Sequence, residues 1–139
     1  MNIIRTDLAP PPLGHYSQAI THNGQVFVSG QLPIYPVTGV VPEGISAQTA
    51  LVLSNMQAVL HAAGSDKSRV LRVTVYIADI ALWGAMNEAY AVFFGDHRPA
   101  RATVPVPTLP KGCLLEVEAI AIMALSQNKV KNVQDLIFL

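Results

Sequence analysis

The period of the hydrophobic positions changes several times along this chain, and each change predicts a new element. Two short apolar runs flank Asn23-Gly24 in QAITHNGQVFVSGQLPI, residues 18–34. Because Asn-Gly accepts the positive φ values of a tight turn, this stretch is predicted to form a β-hairpin. The preceding segment contains three consecutive prolines and a glycine, so it is predicted to be irregular or extended.

Helical spacing of apolar residues marks two longer segments. The first is SAQTALVLSNMQAVLHAAG, in which Ser46 is the predicted N-cap and Gly64 the predicted stop. The second is ALWGAMNEAYAVFFG, which Gly95 is predicted to end. Between them, RVLRVTVYIAD alternates apolar and polar side chains and is predicted to be a strand.

Two further strands are predicted within RPARATVPVPTLPKGCLLEVEAIAIMA, residues 98–124. Side chains two apart share a face of a strand, so Glu116 and Glu118 lie opposite an apolar row that begins at Leu115. The short join over residues 107–112 predicts antiparallel neighbours. Arg101, Thr103 and the two glutamates are then expected on the sheet surface away from the helices.

The order hairpin, helix, strand, helix, strand, strand predicts an α+β domain rather than a doubly wound sheet. Two helices cover one face of a mixed sheet and leave the other uncovered. We therefore expect a partner to bury that second face. The length of 139 residues suits one domain with a single core.

Composition sharpens this expectation. Hydrophobic residues make up 51% of the chain and charged residues only 13%, which favours a folded chain in an oligomer that hides apolar surface. The net charge of zero argues against recruitment of nucleic acid or an anionic membrane. A lone cysteine and the lack of a run of about 20 apolar residues predict a cytoplasmic protein without a membrane span.

The charges within the apolar strands have three interpretations. They are ordinary outward residues of an exposed sheet, an Arg–Glu pair across a subunit interface, or a site. In the third interpretation, Arg101 binds an anion through its planar fork of donors, and a neighbouring carboxylate orients or deprotonates water. That grouping suits hydrolysis of a small carboxylate substrate, but these residues alone leave the three interpretations open.

Other candidate chemistry is weak. The four histidines fall in separate elements without the usual ligand spacings, which argues against a metal site. There is no glycine-rich phosphate loop and no Gly-x-Ser-x-Gly motif in the sequence. Cys113, beside a turn glycine, is interpreted as a small residue at a strand start. Tyr16 is either a packed aromatic or a pocket wall.

Several segments in order resemble the Rid/YjgF family, many of whose members are reactive intermediate imine/enamine deaminases. The resemblance covers roughly residues 8–124, and its most specific parts are RPARATV and LPKGCLLEVEAIA. The other matching segments are GHYSQAI, VFVSGQLPI, AQTALVLSNMQAVLHAAG, VTVYIADI and MNEAYAVFFGDH.

This resemblance implies a chorismate-mutase-like fold, with a mixed six-stranded sheet and two helices on one face. It further implies a homotrimer whose sheets face inward as a barrel. Three clefts would then lie between subunits, each built from residues of two chains. No metal and no organic cofactor is implied.

Site residues follow from the resemblance by motif. Arg101 is expected to hold the substrate carboxylate and Glu116 to position the attacking water, with the backbone at Thr103 holding water and the substrate nitrogen. The pocket is expected to be lined by Tyr16 and Gly30. Asn87 is expected at the interface near the cleft, and Glu118 is expected to be structural or part of a subunit contact.

The implied reaction is hydrolysis of a 2-imino acid, formed from an enamine such as 2-aminoacrylate, to a 2-oxo acid such as pyruvate and ammonia. One alternative is deamination of a catabolic enamine such as 2-aminomuconate. Others are a ligand-binding or chaperone-like trimer without turnover and a ribonuclease or translation inhibitor. Zero net charge weighs against the last.

The chain departs from the family pattern in several places. His15 stands where proline commonly precedes Tyr16, and Thr103 replaces a common cysteine. Pro105 and Pro107 interrupt what is usually unbroken strand. These differences bear on substrate preference. The family domain is predicted over residues 1–124, followed by a C-terminal extension over residues 125–139 whose apolar LIFL end is expected to dock on this or another subunit.

Overall fold

The structure of the protein is a computed structural model, and it describes residues 1–125. The predicted C-terminal extension therefore lies, except for Leu125, outside the described residues. The elements in chain order are β1 (Asn2–Ile4), β2 (Ala19–His22), β3 (Gln25–Gln31), α1 (Ile45–Ala62), β4 (Val70–Ile77), α2 (Trp83–Phe94), β5 (Ala100–Pro105) and β6 (Leu115–Ile122). The strands form one sheet in the order β1-β2-β3-β6-β4-β5.

The predicted hairpin is confirmed. Strands β2 and β3 are antiparallel and close at the pair His22 and Gln25. Asn23 has φ 49° and Gly24 has φ 77°, which is the left-handed backbone that this turn requires. The strand β1, which residue patterning did not predict, adds to the outer edge of β2 and brings the sheet to six strands.

The helix ends are confirmed, whereas the predicted start of α1 is wrong. Both stop residues, Gly64 and Gly95, adopt positive φ as expected of glycines that end helices. At the other end α1 begins at Ile45, preceded by Gly44 with φ 85° and no side-chain cap. Ile45 is buried, so starting the helix ahead of Ser46 places an apolar side chain in the core.

Both helices pack on one face of the sheet, as predicted. The helical face of α1 is fully buried at Leu53, Met56 and Leu60. It meets the apolar row of β6, in which Leu115 and Val117 are equally inaccessible. This burial fixes the faces of β6, since alternate residues of a strand point to opposite sides.

The predicted pairing of the last two strands is wrong. Strand β5 pairs in parallel with β4, and β6 lies on the other side of β4, between β4 and β3. A helix between consecutive strands favours parallel neighbours, and α2 connects β4 to β5 in this way. Residues 106–114 then pass around the end of β4, where the Val106 amide donates to the Ile77 carbonyl at 2.9 Å.

The sheet face opposite the helices, which we call the open face, is uncovered as predicted. Large apolar side chains are exposed there, with Ile3 at 69%, Phe27 at 42% and Ile122 at 38%. Exposed apolar residues grouped on one sheet face are typical of surfaces that contact another molecule. Within residues 1–125, no helix is both long and apolar enough to cross a membrane.

Candidate active site

Arg101 lies on the helix side of β5, contrary to the prediction. In the parallel pair it registers with Val73, and Thr103 registers with Val75. Both valines are fully buried in the core beneath the helices, and partners in a ladder point to the same side. Arg101 and Thr103 therefore do not share the open face with the glutamates. The error follows from placing β5 beside β6 instead of beside β4.

The Arg101 guanidinium is held against α2 by two aromatic rings. Its Cζ lies 4.6 Å from the centre of the Tyr90 ring and 5.7 Å from the centre of the Trp83 ring. Among residues 1–125 no carboxylate pairs with it. Asn87 and Arg101 line one cavity of about 500 Å³ on this side of the sheet. We call Arg101, Thr103 and Asn87 the arginine half.

Tyr90 is the most constrained neighbour of Arg101. Its side chain is only 7% exposed, and its hydroxyl has no hydrogen-bond partner among the described residues. Burial raises the pKa of Tyr90 to about 12, although the positive charge of Arg101 acts in the opposite direction. The phenol is therefore neutral at physiological pH and does not pair with the guanidinium as an anion.

Glu116 lies on the open face, as predicted. It is directly opposite Tyr76 in the antiparallel pair of β4 and β6. Burial raises the pKa of Glu116, and the like charge of Glu118 raises it further. A carboxylate with a raised pKa is a better proton acceptor in its ionised form.

Gly30 provides the space in which the Glu116 carboxylate sits. A Cβ at position 30 would lie 3.1 Å from Cδ of Glu116 and closer still to a carboxylate oxygen. Tyr16 lines a small pocket together with Gly30. The Tyr16 hydroxyl accepts a hydrogen bond from the Leu13 amide at 3.0 Å, which fixes the ring on the proline-rich segment. We call Glu116, Gly30 and Tyr16 the glutamate half.

Glu118 has a different environment from Glu116. The Tyr76 hydroxyl donates a hydrogen bond of 2.5 Å to Glu118 Oε1. The bond to Glu118 is also the main reason that the pKa of Tyr76 is raised. Glu118 thus has a partner from its own chain, whereas no hydrogen bond within residues 1–125 restrains the Glu116 carboxylate.

The two halves do not meet within one chain. Strands β5 and β6 are two positions apart in the sheet, which is roughly 10 Å. Arg101 and Glu116 also project from opposite faces. One chain therefore holds both halves, but it does not assemble them into one site.

Residue patterning missed the aromatic neighbours of Arg101. In the sequence, Trp83 and Tyr90 fit the apolar face of a helix. Together with Asn87 they are spaced at i, i+4 and i+7, which places all three in one stripe on one side of that helix. The side that this stripe faces depends on the position of β5. Tyr76 was missed for a similar reason, since its partner Glu118 is 42 residues away.

No group of three or more metal-binding side chains of His, Cys, Asp or Glu is clustered within residues 1–125. The two halves offer one guanidinium, one carboxylate with a raised pKa, and the backbone and aromatic groups around them. These groups bind anions and transfer protons.

Comparisons with known proteins agree with this architecture. The family model described as Endoribonuclease L-PSP matches residues 6–123. A RutC family protein of Pyrococcus horikoshii is 48% identical over 120 residues, which are 86% of this chain and 95% of that protein. A protein of Rattus norvegicus named 2-iminobutanoate/2-iminopropanoate deaminase is 41% identical over 121 residues, covering 86% of this chain and 88% of the relative.

Solved structures give the same result for the fold. The crystal structure of E. coli TdcF with bound serine has a TM-score of 0.86 and 38% identity, covering 89% of this chain and 100% of that one. RidA from the Antarctic bacterium Psychrobacter sp. PAMC 21119 has a TM-score of 0.86 and 36% identity, covering 88% of this chain and 100% of that one. By sequence and by fold, this chain belongs to the Rid/YjgF family.

Proposed function

We propose that the protein is a hydrolytic deaminase that converts 2-imino acids, and the enamines in equilibrium with them, to 2-oxo acids and ammonia. The observation that carries the proposal is the guanidinium of Arg101, which is oriented by aromatic rings but has no carboxylate partner within residues 1–125. Relatives named as deaminases support the same conclusion.

An unpaired, oriented guanidinium suits a substrate carboxylate. Arg presents parallel N–H donors that bind a carboxylate bidentately, and these charge-assisted hydrogen bonds are stronger than neutral ones. All 2-imino acids carry a carboxylate next to the reacting carbon. Binding through Arg101 would therefore fix the position of that carbon relative to a catalytic group.

Glu116 is the proposed catalytic base. The water oxygen forms a bond to the imine carbon while its proton passes to the Glu116 carboxylate, and the electrons of the C=N bond move to nitrogen. The resulting nitrogen anion takes that proton from Glu116 and becomes the amino group of a carbinolamine. The hydroxyl proton then passes through the Glu116 carboxylate to this nitrogen, which leaves as ammonia as the carbonyl forms. The raised pKa of Glu116 suits a group that accepts and returns one proton at a time. The backbone at Thr103 would hold the water and the substrate nitrogen.

A complete site then needs a second subunit. Since one chain separates the two halves, we propose that the arginine half of one subunit meets the glutamate half of its neighbour in a homotrimer. The exposed apolar side chains of the open face support such an assembly, because they would be buried between subunits. Tyr16 and Gly30 would line the cleft beside Glu116, and Asn87 would lie at its edge beside Arg101.

A second candidate substrate is a dicarboxylic enamine such as 2-aminomuconate. One observation favours it, since Arg98 lines the same cavity as Arg101 and offers a second cation. A second carboxylate on the substrate would be complementary to that charge. The cavity volume of about 500 Å³ accommodates a six-carbon dicarboxylate.

The test is direct measurement of turnover. 2-Aminoacrylate is generated from serine by a dehydratase, and 2-oxo acid formation is followed with and without the purified protein. We expect the protein to accelerate pyruvate release above the uncatalysed rate. The same assay with 2-aminomuconate compares kcat/KM for the two substrates. No acceleration of either reaction would overturn the proposal.

A further inference from the structure

Three residues of α2 form one stripe that faces the edge strand β5. They are Trp83, Asn87 and Tyr90, spaced at i, i+4 and i+7. The Arg101 guanidinium lies over two of them, 4.6 Å from the Tyr90 ring centre and 5.7 Å from the Trp83 ring centre. Both distances fall within the range of attraction between a cation and an aromatic face.

Aromatic rings and carboxylates hold an arginine with different consequences. A carboxylate neutralises the guanidinium and occupies its N–H donors. An aromatic ring attracts the cation through its electron-rich face and uses none of the in-plane donors. A residue that must bind a substrate anion needs a fixed position together with its charge and its donors. The surroundings of Arg101 meet this requirement within residues 1–125.

The two rings are not equally fixed. Tyr90 is 7% exposed, and its ring packs 4.7 Å from the Phe94 ring centre, so it has little freedom to move. Trp83 is 41% exposed and lies farther from the guanidinium than Tyr90 does. The Tyr90 ring therefore provides the more rigid of the two contacts.

We propose that Tyr90 and Trp83 are positioning residues, forming an aromatic clamp that orients Arg101 for a substrate carboxylate without neutralising it. The role of the clamp in catalysis rests on the deaminase function proposed above. The clamp itself, as a contact between Arg101 and two rings, does not depend on that function.

The first test separates substrate binding from chemistry. Tyr90→Leu removes the ring and keeps an apolar side chain, whereas Tyr90→Phe removes only the hydroxyl. For Tyr90→Leu we expect KM for 2-iminopropanoate to rise about tenfold with kcat changed less than about twofold, since the loss falls on carboxylate binding. The KM of Tyr90→Phe should stay close to that of the wild-type protein because the substitution keeps the aromatic ring.

The matched control is Phe93→Leu on the same helix. Phe93 makes an equivalent contact with Lys67, whose Nζ lies 5.1 Å from its ring centre, but it does not touch Arg101. We expect this variant to keep the wild-type KM even if its unfolding temperature falls. If Tyr90→Leu does not fold, Trp83→Leu at the more exposed position carries the same KM measurement, with a smaller rise expected.

The second test needs no substrate. Trp83 is the single tryptophan of the chain, so intrinsic fluorescence reports on its surroundings alone. Arg101→Met should change the emission of the free protein because it removes the charge beside the indole, whereas Lys67→Met should not. Pyruvate, a 2-oxo acid, should change the wild-type emission and leave that of Arg101→Met unaffected.

These outcomes distinguish the clamp from the proposed function. If the wild-type protein is inactive but its emission differs from that of Arg101→Met, the deaminase function is overturned and the clamp is retained. An active protein overturns the clamp if Tyr90→Leu, or Trp83→Leu in its place, keeps the wild-type KM. Unchanged emission in Arg101→Met overturns it as well.

Discussion

The arginine half and the glutamate half differ in how the fold holds their charged groups. Arg101 stands on the edge strand β5 and packs on α2 through aromatic contacts. Glu116 stands on β6 in the interior of the sheet, where burial and a second carboxylate raise its pKa. The arginine half thus leaves the positive charge of Arg101 unpaired within the described residues. The glutamate half favours protonation of Glu116. A hydrolase that binds an anion and activates water needs both properties.

Loss of the arginine should have the largest effect. Arg101→Ala removes the side chain that is proposed to bind the substrate carboxylate bidentately, so we expect kcat/KM to fall by about 100-fold or more. Arg101→Lys should recover part of the loss, because it restores the charge but not the planar fork. Steady-state kinetics with 2-iminopropanoate measures both variants, and Arg5→Ala on the exposed N-terminal segment is the control. Full activity in Arg101→Ala would remove the arginine half from the mechanism.

A methyl group at position 30 should disturb the glutamate half alone. Gly30→Ala brings Cβ against the Glu116 carboxylate, which must then move. Because small displacements of a catalytic group are costly, we expect kcat to fall by about 100-fold. Gly84→Ala is the matched control, since a Cβ there meets no atom within 4 Å. Wild-type kcat in Gly30→Ala would show that the position of Glu116 is not critical.

A smaller effect should follow from changing the neighbouring carboxylate. In the proposed mechanism Glu116 acts as a base in its ionised form, so activity should be lost as the pH falls through its pKa. Burial is the larger cause of its raised pKa, and Glu118→Gln removes the smaller one, the like charge. The pKa of Glu116 should then fall and the acidic limb of the kcat/KM profile should shift to lower pH. Glu43→Gln, in an exposed loop, is the control, and an unshifted limb in Glu118→Gln would contradict this coupling.

The local elements of the fold were predictable from the sequence because their signals are local. Asn23-Gly24 specifies a tight turn, Gly64 and Gly95 end helices, and the alternation through β6 separates Glu116 from the core. The uncovered sheet face was also predictable, since two helices cover only one side of a sheet. The start of α1 was not predicted correctly, because the burial of Ile45 outweighed the capping preference of Ser46.

The relation between the two halves was not predictable in the same way. It depends on which strands are neighbours, and β6 pairs with β3 and β4 across long separations in sequence. The short join before β6 favoured a hairpin with β5, yet β4 lies between them. The side of the sheet on which Arg101 stands, and hence its contacts with Trp83 and Tyr90, follows from that one topological fact.

The most direct test of the central claim is complementation between two inactive variants. Arg101→Ala and Glu116→Gln are coexpressed with different tags, and oligomers that carry both tags are purified. If each site takes Arg101 from one subunit and Glu116 from its neighbour, a homotrimer that carries both variants has about one third of its sites intact, since only one of its three interfaces joins an intact Arg101 to an intact Glu116. We predict that the mixed oligomers recover activity on 2-iminopropanoate that neither variant has alone. Mixed oligomers that form but remain inactive would contradict the shared site.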